Sequence, residues 1–265
     1  MGKYCCFFDP MQDYQEKELT DCCPKCGKPY DYILNHIPSV ICNGGTQYQV
    51  LSPIGRGFYG ATYLCNVKKR FRTENVLLKI IPVDVYSFFH KDFYAECQRH
   101  AELSENTEHL VKISDAFDAN VIFDESEITC HIAELQYVHG DILSDYLEKA
   151  DAGPKAFAQI AIDLLKMWSE LIQKGEYHND LHMGNLMVEY LDDSIQRVDA
   201  IYDKIRLIAI DMNSATNQSL SDYDTDRHGD RKYISDHIEL LGKKLRNKYS
   251  SLYNISDSDY RLIET

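Results

Sequence analysis

Ten residues, Tyr177-His178-Asn179-Asp180-Leu181-His182-Met183-Gly184-Asn185-Leu186, constrain this chain more than any other stretch. Upstream, Phe157, Ile160, Ala161, Leu164, Leu165, Trp168, Leu171 and Ile172 recur at helical spacing, which predicts a buried helix leading into a loop. Downstream, Arg206-Leu207-Ile208-Ala209-Ile210 reads as a short buried strand ending at Asp211. On the loop, Asp180 stands five positions before Asn185, so a carboxylate and an amide lie one tight turn apart. Phosphoryl transfer needs that spacing: one acid addresses the attacking hydroxyl, and the amide with a second acid holds magnesium on the phosphates.

Other motifs follow a fixed order. Gly55-Arg56-Gly57-Phe58-Tyr59-Gly60 lies between the strand-like Tyr48-Gln49-Val50-Leu51 and Thr62-Tyr63-Leu64. Glycines there let a backbone approach phosphates, and a strand on either side argues against a Rossmann turn, which would open a helix. Val76-Leu77-Leu78-Lys79-Ile80-Ile81 puts an ammonium in an apolar strand, where it is costly without a partner, and Phe93-Tyr94-Ala95-Glu96-Cys97 supplies an acid. Glu102 is a second candidate partner for Lys79. Ala133-Glu134-Leu135-Gln136-Tyr137-Val138-His139-Gly140-Asp141 comes next.

The loop His178-Asn179-Asp180-Leu181-His182-Met183-Gly184-Asn185 resembles the catalytic loop of the protein-kinase-like superfamily, in the atypical variant of RIO and aminoglycoside-phosphotransferase-type kinases. The motif order from about residue 46 to residue 242 resembles that family too. The resemblance implies an α+β, two-lobed kinase-like fold, with an N-terminal lobe over 46–138 and a minimal or truncated C-terminal lobe over 139–265. It implies ATP held by Gly55, Gly57, Phe58, Gly60 and Lys79, with adenine on the backbone of Gln136 and Val138 and ribose near Asp141. Asp180 is then the base, Lys79 and Glu96 the phosphate-binding pair, His182 a γ-phosphate contact, and Asn185 and Asp211 the magnesium ligands.

Departures from the family pattern qualify this. Asn179 replaces an arginine that pairs with phosphorylated activation loops, His182 replaces a lysine, and Asp211-Met212-Asn213 replaces Asp-Phe-Gly. Past Asp211 only Ser235–Gly242 resembles a later motif, with one residue too many before the glycine.

Composition bounds the partners. The 265-residue chain is 44% hydrophobic, with no apolar run near the roughly 20 residues that cross a bilayer. A formal net charge of −14 argues against nonspecific nucleic-acid binding and suits a basic protein partner or simply a well-solvated surface. With no signal-like N-terminus, a cytoplasmic location is expected.

Nine cysteines in such a chain read as metal ligands and buried small side chains rather than disulfides. Cys23-Pro24-Lys25-Cys26-Gly27 has the form of a zinc knuckle, and Cys5-Cys6 is the natural second half. The fourth ligand stays open among Cys5, Asp9, Cys22, His36 and Cys42. A zinc-ribbon-like module over 1–45 with structural Zn2+ is expected, ending in the turn-rich linker Ile41-Cys42-Asn43-Gly44-Gly45-Thr46. Met1-Gly2 ahead of paired cysteines suits acylation less well, since position 6 is Cys rather than Ser or Thr.

The expectation is an ATP- and magnesium-dependent phosphotransferase, a cytoplasmic serine/threonine-protein kinase acting on a protein hydroxyl, the chain itself included. The alternatives are a small-molecule kinase of the aminoglycoside or choline type, and a nucleotide-binding pseudokinase serving as a regulatory module.

Overall fold

The computed structural model describes residues 40–56, 60–69, 72–83, 87, 92–123, 126–149, 153–191, 204–212, 215 and 230–253. By contacts the chain divides into two compact units: the described residues within Met1–Glu102 and Lys112–Tyr137, and those within Leu103–Val111 and Val138–Thr265.

The first unit is built on strands β1 (Val40–Asn43), β2 (Thr46–Arg56), β3 (Ala61–Lys69), β4 (Arg72–Pro82), β5 (Ile113–Phe123) and β6 (Ser126–Gln136), with helix α1 (Phe93–Ser104). The strands form one sheet in the order β1-β2-β3-β4-β6-β5, every pair antiparallel. Side chains alternate between its faces, as the two-residue period of a strand requires. Ile80, Phe117 and Ile132 join one core with Tyr48, Tyr63, Cys65 and Leu78, while their neighbours Ile81, Ala116 and Ala133 join another with Phe93 and Cys97 of α1. One face thus lines the inside of a curled sheet, and the helix covers part of the other.

The curl is nearly closed. Asn43 Nδ2 of the first strand in the order donates to Asp115 Oδ2 of the last, at 3.1 Å. Tyr48 and Phe117, on β2 and β5, stack across the interior with ring centroids 5.7 Å apart. A buried glutamate adds the strongest tie. Glu134, 1% exposed on β6, accepts from Tyr48 Oη at 2.6 Å, from Ser114 Oγ at 2.5 Å and from Lys69 Nζ. Four strands, β2, β3, β5 and β6, meet on this carboxylate. Its pKa lies below the ordinary glutamate value: burial pushes it up, but the hydrogen bonds from Lys69, Ser114 and Tyr48 and the lysine charge outweigh burial.

The second unit holds β7 (Gly140–Ile142), β8 (Leu186–Tyr190) and β9 (Ile205–Ala209), in that order and antiparallel, with α2 (Leu143–Lys149), α3 (Pro154–Gln173) and α4 (Asp230–Tyr253). Helix α3 starts with Pro154 in its first turn and ends where Gly175 takes φ +69, with Glu176 N donating to Leu171 O at 3.0 Å. Proline's preset φ suits a helix start, and a left-handed glycine lets the end fold back on its own carbonyls. Its buried stripe is Ala156, Phe157, Ile160, Asp163, Leu164, Met167 and Leu171, packed with Leu186, Val188, Leu207, Tyr233 and Leu241. Leu165 and Ile172, expected inside from their spacing, are 44% and 41% exposed, and Ile162 is 46% exposed. The stripe is centred one position away from where a count of apolar residues puts it, because Asp163 occupies a buried position.

The two-lobed kinase-like architecture expected above is therefore corrected to an α+β architecture centred on a near-closed six-stranded sheet. The reason is local. Motif order specifies hairpins, helices and loops but not whether a sheet stays open, and here closure depends on β1, which the sequence presents as linker. Asn43-Gly44-Gly45-Thr46 is the turn of the β1–β2 hairpin, with Gly44 at φ +56, a conformation that favours glycine. Residues 1–39 of the expected zinc-ribbon-like module lie outside the described residues.

Glu134→Ala should destabilise the protein by roughly 2–4 kcal/mol in urea unfolding, since it strands three donors on one buried acceptor site. Because the folded carboxyl titrates below its unfolded value, its contribution is complete above the ordinary glutamate pKa and disappears as pH falls through the folded one. Wild-type acid stability should therefore fall more steeply than that of Glu134→Ala; parallel curves would show that the carboxylate carries no such load.

Candidate functional site

The loop that the sequence singles out connects α3 to β8 in the second unit. Asn179 is buried with φ 61, a left-handed conformation that asparagine tolerates better than most residues. Asp180 is exposed, and Asn185 Nδ2 donates to its carbonyl at 2.9 Å and to its Oδ2 at 3.3 Å. His182 Nδ1 accepts from Gly184 N at 3.0 Å, capping the one-turn 3-10 helix Met183–Asn185. Ile210 N donates to Asn185 O at 3.0 Å, which brings Asp211 beside the loop. Hence Asp180, His182, Asn185 and Asp211 are neighbours in one unit. His182 also faces His237 of α4, whose pKa is lowered by burial first, with the Tyr233 carbonyl and Asp236 pulling upward and His182 adding to the depression.

The strand beneath this loop is sealed by groups the sequence reading did not assign. Ala209 N donates to His109 O at 2.8 Å and Val111 N to Ala209 O at 2.9 Å. Asp163 Oδ2 accepts from Leu207 N at 3.1 Å, and His109 Nδ1 lies 3.0 Å from Leu207 O. A carbonyl only accepts, so that nitrogen carries the proton. The free edge of β9 is covered by side chains and backbone instead of another strand. Asp163 was visible in the sequence as a carboxylate within an apolar helical stripe, the pattern of a buried acid with a fixed partner.

The other expected residues take part in local contacts of their own units. Gly57 and Phe58 are outside the described residues, as are Cys5, Cys6, Cys23 and Cys26. Gly55 pairs with Thr62 and has open space where a Cβ would stand. At Gly60 a Cβ would lie 2.0 Å from Ile80 O, so glycine there lets β3 pack on β4. Gly140 stands equally close to Val188 O, 2.0 Å from its Cβ position. Lys79, paired with Ala133, stands on the sheet and Glu96 on α1, and both act on the Cys97 thiol. Gln136 N is occupied by Lys112 O at 2.8 Å, and Val138 is core, packed with Val111 and Ile208. Asp141 Oδ2 accepts from Tyr190 Oη at 2.6 Å.

A groove opens in the first unit between α1 and β5, with a volume of about 330 Å³. Tyr94, Cys97, Gln98 and Ala101, on one helical face, form one wall, and residues 113–116 of β5 form the other. Small side chains face each other at Ala101 and Ala116, and a register shift between Ile113 and Asp115 displaces β5, which together leave the space unfilled. Burial, with Glu96 adding and Lys79 opposing, pushes the Cys97 thiol up to about 12, so it stays protonated and is no nucleophile. Tyr94 is likewise raised to about 12, by burial and then by its hydrogen bond to Asp118.

No model of a known protein family matches the chain, and no curated protein matches it either. Among the described residues, no three or more His, Cys, Asp or Glu side chains come together to hold a metal. The described cysteines Cys42, Cys65, Cys97 and Cys130 are free. These findings overturn the kinase-like resemblance and what rested on it. The assignment as an ATP- and magnesium-dependent phosphotransferase, its small-molecule-kinase and pseudokinase variants, and the ATP, Mg2+ and structural Zn2+ cofactors are corrected accordingly. No described helix is long and apolar enough to cross a membrane.

Asp163→Ala should cost about 2–3 kcal/mol of stability by uncovering the Leu207 amide in a buried setting, and Asp163→Asn, which keeps an acceptor, clearly less. Equal losses in the two variants, measured by thermal and urea unfolding, would contradict the edge-capping role. Asn179→Ala should cost about 1–2 kcal/mol from the left-handed backbone, and a loss no larger than that of an exposed-site alanine would remove the strain argument.

Proposed function

We propose that this chain is a protein-binding module and that a segment of its partner lies in the groove between α1 and β5. The groove carries the reading. Its volume is at the lower end for ligand clefts, which suits one or two peptide side chains better than a bulky cofactor. Its walls combine the apolar Ile113, Ala101 and Ala116 with the side-chain amide of Gln98, a mixture suited to an apolar side chain flanked by a polar contact. The described free thiols fit a reducing compartment, and a cytoplasmic location is part of the same proposal.

Labelled ten-residue peptides, each with a leucine or phenylalanine among basic, acidic or uncharged neighbours, test this by fluorescence anisotropy. At least one class should bind saturably, and Ala101→Trp, which fills the groove from α1, should weaken it about tenfold or more. Absence of binding by every peptide, or equal affinity for a folded Ala101→Trp protein, would defeat the proposal.

A further inference from the structure

The margin of the groove carries a carboxylate already set in position. Tyr94 Oη donates to Asp118 Oδ1 at 2.8 Å, and His131 Nδ1 lies 2.7 Å from the same oxygen. Asp118 is nonetheless 47% exposed, and its other oxygen, Oδ2, has no hydrogen-bond partner among the described residues. The ring that fixes it is itself fixed, since His131 stacks on Phe93 with centroids 4.7 Å apart and meets Tyr94 edge-on at 5.8 Å. Asp115, which lines the groove, offers less: Oδ2 is taken by Asn43 and Oδ1 by the Ala116 amide. Carboxylates also outnumber fixed cations here, with Glu96, Glu102, Asp115 and Asp118 against Lys79, Arg99 and Lys112. An immobilised acid with one open oxygen beside an apolar cleft recognises a cation, because little conformational entropy is lost when the pair forms.

We infer that the partner segment is basic, with an arginine or lysine on Asp118 Oδ2 and a neighbouring apolar side chain in the groove. The inference rests on the proposal that the groove binds a protein segment, and it names that segment's chemistry. Three labelled peptides that carry the same leucine beside arginine, citrulline or glutamate separate the two. For the wild-type protein, arginine should bind about tenfold tighter than citrulline, and glutamate weakest. Asp118→Asn should erase the arginine preference, Tyr94→Phe, which removes one of the two anchors of that carboxylate, should reduce it, and Ala101→Trp should weaken all three peptides together. Equal affinities for arginine and citrulline, or a preference that survives Asp118→Asn, would overturn the basic assignment and leave the groove reading standing. Binding by no peptide would remove both. Concentration-dependent self-association that Ala101→Trp abolishes would make a second copy of this chain the occupant and overturn the inference as well.

Discussion

The carboxylate of Glu134 is the interaction on which the first unit depends. An ionised group 1% exposed is tolerated only with its acceptor sites filled, and the fillers come from β2, β3 and β5. Each donor must arrive at one point, so the acid sets the curvature of the sheet and not merely its stability. Apolar packing alone would accept many curls, since contacts between hydrocarbon side chains are non-directional. The stacked Tyr48 and Phe117 rings and the Asn43–Asp115 hydrogen bond then complete the closure that the buried acid begins.

Closure has a consequence on the outer face. A curled sheet turns its convex side to α1, and one straight helix cannot follow it along its length. Phe93 and Cys97 seat the helix on Ile81 and Ala133, whereas at Ala101 and Ala116 neither surface has enough side chain to fill the gap. The groove is where helix and sheet part company. The bulge in β5 near Ser114 widens it, and the same bulge lets Ser114 turn inward to Glu134. Inner polar hub and outer groove are therefore two faces of one irregularity.

In the second unit the governing constraint is the edge of β9. A buried strand edge needs acceptors and donors in register, and Asp163, His109 and Val111 supply them from separate parts of the chain. That arrangement fixes the end of β9 and so the place of Asp211. The loop at 177–186 is held internally, by the Asn185 amide on Asp180 and by His182 on the Gly184 amide. Polar residues at that spacing thus serve to make a tight turn rigid, which is a structural task that the same spacing performs whatever chemistry the loop has.

Local order was legible in the sequence because it is written in short-range periodicity. The 3.6-residue repeat of apolar side chains announces α3, and the run Arg206–Ile210 announces β9. The candidate groove was not legible. It arises from two alanines and a register shift that lie far apart in the chain, and neither alanine nor a bulge leaves a compositional mark. Asp118 illustrates the same limit, as an ordinary strand acid until Tyr94 and His131 converge on one of its oxygens. The sequence by itself determined local elements such as α3 and β9 and the chain's acidity, since propensity and charge belong to single residues. Only the tertiary structure decided that the sheet closes, that β1 is a strand rather than a linker, and which carboxylates are sealed and which keep an open oxygen, because those properties depend on distances between residues that the chain order does not specify.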